Sequence, residues 1–367
     1  MERIAPACVA RDPTALRHGA RRTPAIRRST TVMSAASHQR RTLITGGAGF
    51  IGSHLAERLL ERGDDLIIVD NFSTGRRSNV AHLPSDRVTI IDAPVSDAVP
   101  RLETGAFDEV YHLAAAVGVR LVIDQPIRTI ETNVLETSAL LAFAAPTSTP
   151  VLMASTSEIY GKSSHTPFAE DDDVVYGPTT LHRWSYACSK AIDEYLSLAY
   201  HREHGLPVVV ARFFNTVGPR QVGEYGMVLP RFVARALNGR PLEVFGDGEQ
   251  TRCFCDVRDV VELLPRMMAN PDCYGRVFNV GNDEPIRIRE LAELVIETLE
   301  SDSTIDVVPY DKAFGAGFDD LRDRRPDLTR LRGATGFEPR VTLQQTIRDL
   351  AEDLRSRPDA TVERACS

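Results

Sequence analysis

The segment Gly46-Gly47-Ala48-Gly49-Phe50-Ile51-Gly52 constrains this chain more than any other. It follows a short apolar run, Arg41–Thr45, and opens a stretch, Phe50–Arg62, with helical spacing of apolar residues. Glycines at 46, 49 and 52 give GxxGxxG. The first allows a tight turn, the second lets backbone approach a pyrophosphate, and the third permits close helix–strand packing. A helix N-terminus placed there faces phosphates with its partial positive charge. A second apolar run, Leu66–Asp70, ends in an acid 24 residues after Gly46. A carboxylate at that place accepts a ribose 2′-hydroxyl and repels a 2′-phosphate, which favours NAD over NADP. Arg76 and Arg77 lie close enough to weaken that preference. Asp92, at the end of a third run, is a candidate for the adenine amino group.

The pattern continues as strands alternating with helices. Apolar runs fall at Val88–Asp92, Glu109–Leu113, Val151–Ser155 and Pro207–Phe213. Helical spacing covers Thr129–Ala145 and Trp184–His204. Short apolar strands between amphipathic helices predict βαβ units around a buried parallel sheet. The expected class is α/β, a Rossmann-type doubly wound parallel sheet with a smaller mixed α/β substrate-binding lobe. After Asn215 the texture changes: Gly, Pro and charge become frequent. Leu229–Asn238 and Ile288–Leu299 read as helices, and Val277–Val280 as a return to the main sheet. We place an NAD-binding domain at 42–215, with that return near 255–281. An interleaved lobe covers 216–354, and a flexible C-terminus 355–367.

Tyr186 and Lys190 stand four apart, so on a helix they share a face. The chain has three lysines, Lys162, Lys190 and Lys312, among 43 basic residues. A lysine kept where arginine is the habit suggests chemistry that arginine cannot do. An ammonium beside the phenol is expected to lower its pKa from about 10 toward neutrality. Tyr186 then takes a hydroxyl proton as hydride leaves for NAD. The run Val151–Ser155 leads into Thr156-Ser157-Glu158, hydroxyls and an acid where open sheets bind ligands. Thr156 is placed to hydrogen-bond the reacting oxygen.

Composition bounds the partners. The net charge is −8, but residues 1–41 carry nine Arg and two acids, a balance of +7 that leaves −15 for the remainder. An acidic body argues against nucleic acid. The basic segment has the composition of a transit peptide; we read it as a tail outside the fold, with Met33 as an alternative start. No run of 18 apolar residues exists, so no membrane span is expected. Six cysteines form no CxxC, and no metal site is expected. Cys253 and Cys255, two apart, would share one face of a strand. Reduced thiols suit a cytoplasmic protein.

These motifs resemble the extended short-chain dehydrogenase/reductases, the NAD-dependent nucleotide-sugar epimerases, dehydratases and decarboxylases. The resemblance runs from about Arg41 to about Leu354. It is carried by TGGAGFIGSHL (45–55), HLAA (112–115), TNVLET (132–137), STSEIYG (155–161), YxxxK, RFFNTVGPR (212–220), GDGEQTRCF (246–254), VFNVGN (277–282) and RRPD (324–327). It implies that Phe50, Ile51, Asn71, Leu113, Ala114 and Ala115 join the glycines, Asp70, Tyr186 and Lys190 around NAD. It assigns Ser157, Asn215, Arg220, Tyr310 and Arg324 to a UDP-sugar, and Arg252 either to catalysis or to the diphosphate. It also implies a homodimer. The family's 4,6-dehydratases carry Thr-Asp-Glu where this chain has Thr156-Ser157-Glu158. Thr-Ser-Glu followed by Ile-Tyr-Gly, and the segments 177–190 and 250–259, are similar to the UDP-glucuronic acid decarboxylases. The expected activity is therefore C4 oxidation of UDP-glucuronic acid followed by decarboxylation, giving UDP-xylose or a UDP-4-keto-pentose. Glu158 and Arg252 are expected to handle the carboxylate or the proton. The alternatives are a UDP-sugar 4-epimerase, for which Glu158 has no use, and a non-catalytic NAD-sensing regulator, which has no use for Tyr186 and Lys190.

Overall fold

The apolar runs become strands because most of them have both faces covered; the run at 88–91 is half exposed. The structure, a computed structural model, describes residues 39–117, 124–221, 223, 227–309, 312 and 322–356. Six strands lie close to the predicted runs: β1 (Arg41–Thr45), β2 (Asp65–Val69), β3 (Val88–Ile91), β4 (Glu109–His112), β5 (Val151–Thr156) and β6 (Val208–Phe213). Short strands follow at β7 (Thr216–Val217), β8 (Leu242–Phe245), β9 (Thr251–Cys253) and β10 (Cys255–Asp256). The last four are β11 (Arg276–Val280), β12 (Pro285–Arg287), β13 (Ile305–Val308) and β14 (Asp323–Arg324). The main sheet has the order β11-β6-β5-β4-β1-β2-β3, every pair parallel. The predicted return of Val277–Val280 is thus β11, hydrogen-bonded along β6.

The order reverses between β1 and β4, and ligands of open sheets bind beyond the carboxyl ends of strands at such a switch point. The helices are α1 (Phe50–Arg62), α2 (Val95–Ala98), α3 (Pro126–Ala144), α4 (Ser185–His204) and α5 (Val228–Leu237). They continue as α6 (Val257–Met268), α7 (Ile288–Thr298), α8 (Thr329–Thr335) and α9 (Leu343–Ser356). Successive strand residues enter opposite cores. Ile44 packs with Leu55 and Leu59 of α1 and Val260 and Leu264 of α6. Its neighbour Leu43 packs with Leu140, Leu141 and Ala144 of α3. A third core, around Phe232 of α5, Leu291 of α7 and Leu350 of α9, sits under the short strands. No described helix is long and apolar enough to cross a membrane.

One local expectation fails. Cys253 ends β9 and Cys255 begins β10, and these belong to different sheets, β12-β9-β14 and β10-β7. Phe254 interrupts the extended run, so the two thiols do not share a strand face. Both are buried and free.

Candidate active site

The Gly-rich turn leaves β1 at Gly46, whose φ of 73° lies in the left-handed region. A Cβ at Gly46 would lie 2.7 Å from the backbone nitrogen of Ala114, and one at Gly52 would lie 2.2 Å from the carbonyl oxygen of Gly46. Neither approach leaves room for a side chain. Gly49 caps α1 with no side-chain bond to the helix N–H groups. Gly46, Gly49, Phe50, Ile51 and Gly52, with Leu113 and Ala115 from the end of β4, line one cavity of about 490 Å³. Beside the turn, the Asp70 carboxylate accepts from the backbone N–H of Ala48 at 2.9 Å and of Phe72 at 2.8 Å. Burial raises its pKa. These residues fit a dinucleotide: backbone donors at a helix start, space that only glycine leaves open, and an acid fixed at the second strand.

Two sequence-predicted cofactor residues have other partners here. Asn71 Oδ1 accepts from the backbone N–H of Ser73 at 3.0 Å. Asp92 is exposed and ion-paired with Arg77, whose guanidinium lies over the Phe72 ring.

The same cavity runs on to Thr156, Ser157, Glu158, Tyr186, Lys190, Asn215, Arg252 and Arg324. The sheet brings these together because β5 delivers Thr156 at its carboxyl end and α4 packs against that strand. Thr156 Oγ1 accepts from the backbone N–H of Glu158 at 3.2 Å and also bonds the Tyr186 hydroxyl. Asn215, at a φ of 26°, donates from Nδ2 to the carbonyl of Cys253 at 3.0 Å and ties the end of β6 to β9.

The electrostatics differ from expectation in three ways. First, the Tyr186 pKa is raised, not lowered. Burial is the main cause, the charge of Glu158 adds to it, and the bond from Thr156 opposes it. Lys190 does not offset this, because its Nζ is turned to Asp193 Oδ2 at 2.7 Å and Met153 Sδ at 3.6 Å. Second, Glu158 meets Arg324 and Arg183 rather than Arg252. Arg183 forms a direct ion pair with it, and Arg324 Nη1 lies at 3.4 Å. Although partial burial opposes it, these two guanidiniums pull the Glu158 pKa down to about 2. Arg252 donates from Nη1 to the carbonyls of Thr251 at 2.7 Å and Arg322 at 3.3 Å. Third, Arg220 is absent from the cavity lining. It pairs with Glu57 on α1 and donates from Nη1 to Ser53 at 3.3 Å. Tyr310 lies outside the described residues.

Arg183 is the site residue that sequence reasoning missed. It stands three before Tyr186 on a short 3₁₀ turn, His182–Trp184, that leads into α4. Its position relative to the tyrosine was the available signal. Arg231 and Gln250, also unpredicted, line the far end. Among the described residues the lining holds four arginines (183, 231, 252 and 324) and Lys190 against one acid, Glu158. An acidic chain thus carries a cationic cavity, which attracts an anionic ligand.

Comparison with known proteins agrees with this geometry. Residues 42–281 match the model of the NAD dependent epimerase/dehydratase family. The chain is 41% identical over 319 residues to a UDP-N-acetyl-α-D-glucosaminuronate decarboxylase of Bacillus cytotoxicus, covering 86% of this chain and 98% of that one. It is 39% identical over 318 residues to UDP-glucuronic acid decarboxylase 2 of Arabidopsis thaliana, covering 86% of this chain and 68% of the relative. Among solved structures, UDP-glucose 4-epimerase of Thermus thermophilus in complex with NAD superposes with a TM-score of 0.74 at 30% identity, over 86% of this chain and 99% of that one. The chain is an enzyme that belongs to the NAD dependent epimerase/dehydratase family.

Proposed function

We propose that this enzyme decarboxylates a UDP-hexuronic acid through oxidation at C4. The observation that carries the reading is Glu158 held between Arg183 and Arg324 beside Thr156 and Tyr186. Two guanidiniums brought to one point next to the reacting hydroxyl form an anion-binding corner. A sugar carboxylate is the natural ligand for it.

The residues divide the work as follows. Tyr186 accepts the C4 hydroxyl proton, and Thr156 orients that oxygen. NAD, when bound, accepts the C4 hydride. The C5 carboxylate is then β to a ketone, so its C–C bond breaks with loss of carbon dioxide and the electron pair enters an enolate. Tyr186 or solvent returns a proton at C5. Arg183 and Arg324 hold the carboxylate before the bond breaks and lie close to the enolate charge after it. Glu158, ionised, fixes both guanidiniums and is no proton donor in the neutral range. Hydride return to C4 gives a UDP-xylose-type pentose; its loss gives a UDP-4-keto-pentose.

The substrate is UDP-glucuronic acid on this reading. A 2-acetamido uronate is the second reading, favoured by the name of the Bacillus cytotoxicus relative. Incubation with UDP-glucuronate, its 2-acetamido analogue and UDP-glucose, followed by product mass, decides between them. The expected result is loss of carbon dioxide from one uronate. Conversion of UDP-glucose to its C4 epimer with neither uronate consumed would establish an epimerase instead. NAD binding without hydride transfer to or from any of the three would establish a sensor.

We also infer a homodimer in the cytoplasm. Ile127 and Leu135 on α3 and Ile192 and Tyr195 on α4 are exposed. Those two helices pack side by side, so the four side chains fall on one helix pair. An exposed apolar face of this kind marks an interface. Leu135→Arg is expected to convert a dimer to a monomer in sedimentation; a wild-type monomer at micromolar concentration would remove the inference. The free thiols at Cys188, Cys253, Cys255 and Cys273 fit a reducing compartment.

A further inference from the structure

Helix α4 presents Lys190 with two neighbours on one face, Tyr186 four residues before it and Asp193 three residues after it. The ammonium has chosen Asp193. The bond is 2.7 Å, and both side chains are buried from solvent. The surroundings of Asp193 fix its state. The Thr137 hydroxyl of α3 lies near the same carboxylate and lowers its pKa, while Asp193 Oδ1 has no hydrogen-bond partner among the described residues. Thr137 Oγ1 in turn lies 3.1 Å from His112 Nε2. His112 is neutral, because burial, with the Lys190 charge, pushes its pKa down to about 3. Its Nδ1 forms a hydrogen bond with the Thr45 hydroxyl at 2.7 Å. The group Thr45, His112 and Thr137 brings no charge to Asp193. Lys190 is its one close counter-charge among the described residues.

We propose that Asp193 is the positioning residue that sets how strongly Lys190 acts on Tyr186. While the pair is closed, Tyr186 meets a neutral ion pair in place of a bare ammonium. The phenol then keeps its proton until Lys190 is drawn toward a ligand in the cavity that both residues line. The charged groups around this unit are Glu158 and Arg183 on the cavity side, Arg324 behind Glu158, and Glu194 on α4, which is engaged by Arg212. The Asp193 charge itself raises the Tyr186 pKa, in keeping with this role. The proposal rests on Tyr186 being the base, and not on which sugar is turned over.

The test is Asp193→Asn in the full chain, read by ultraviolet titration of tyrosinate with and without NAD. Subtracting Tyr186→Phe isolates the one signal among nine tyrosines. The isosteric amide keeps an acceptor for Lys190 and removes the negative charge. The expected result is a Tyr186 titration displaced by about one pH unit to lower pH, or about tenfold more tyrosinate at a fixed pH. Thr137→Val covers the case in which that variant does not fold. A carboxylate relieved of its hydroxyl draws harder on Lys190, so the titration moves the other way, to higher pH. An unmoved titration in a folded variant, even with a lower melting temperature, would overturn the proposal. A failed uronate assay leaves this titration untouched and sinks only the substrate reading.

Discussion

Tyr186→Phe lowers kcat about a thousandfold while leaving NAD and nucleotide-sugar binding nearly intact. The magnitude is that of removing a positioned acid–base group, about 10² to 10⁴ in rate. Binding survives because the ring is buried and phenylalanine fills the same space. Only the hydroxyl and its bond to Thr156 are lost, and an ordinary hydrogen bond is worth about 1 kcal/mol. The pH dependence separates this variant from a general defect. In the ligand-free site the Tyr186 pKa lies above its ordinary value, so the phenol is protonated through the neutral range. Below that pKa the tyrosinate fraction rises tenfold per pH unit. The wild-type rate is therefore expected to climb from pH 6 toward alkaline pH, and the variant to lose that slope. Glu158 cannot supply the slope, since its pKa of about 2 keeps it ionised throughout. Initial rates of carbon dioxide release over a pH series measure both. A variant with full activity, or one with low activity and the wild-type slope, would remove Tyr186 as the base.

The sequence carried this residue because its signal is local. GxxGxxG, an acid at the second strand end and YxxxK each lie within a few residues, and each is enforced by close backbone packing or helix geometry. The main sheet was legible for the same reason. A strand covered on both faces must be apolar throughout, and that texture distinguishes β2 from its neighbours without any knowledge of pairing. In the second lobe the helices at Leu229–Asn238 and Ile288–Leu299 were legible, and the strands were not. Strands β9, β10, β12 and β14 have two or three residues each, and β9 pairs with β14 across some seventy residues of chain. No periodicity survives in so short a strand.

The inverted shift of Tyr186 has a single origin. Helix spacing offered Lys190 both Tyr186 and Asp193, and the reading used only the partner that chemistry called for. In the fold, a buried ammonium is held by the nearest buried carboxylate, because an unpaired charge there costs several kcal/mol. Arg183 was lost in a different way. With about forty arginines in the chain, one more beside a tyrosine stands out only when its guanidinium is seen on Glu158.

Glu158→Gln is expected to lower KM for the uronate substrate and lower kcat by a larger factor, about a hundredfold. The wild-type carboxylate offsets one of the two guanidinium charges of Arg183 and Arg324. Glutamine keeps the shape and removes the offset, so the sugar carboxylate meets a more positive site and binds more tightly. Decarboxylation, however, turns that carboxylate into neutral carbon dioxide and moves its charge into the ring. Interactions that grip the carboxylate stabilise the ground state more than the transition state, and the barrier rises. The expected pattern is therefore a fall in both constants, which marks a lost balance between ground state and transition state. Steady-state rates on UDP-glucuronate and its 2-acetamido analogue, with binding measured separately by calorimetry, supply the two constants. A raised KM with unchanged kcat would mean that Glu158 binds sugar hydroxyls and leaves the carboxylate to other groups. The low pKa adds a control. Protonating Glu158 in the wild type needs a pH near 2, so no wild-type profile in the working range imitates the variant. Arg324→Gln should give the reverse signature, a raised KM with kcat also reduced. The guanidinium that remains, on Arg183, is then claimed by Glu158, and the sugar carboxylate loses one of the two groups that hold it.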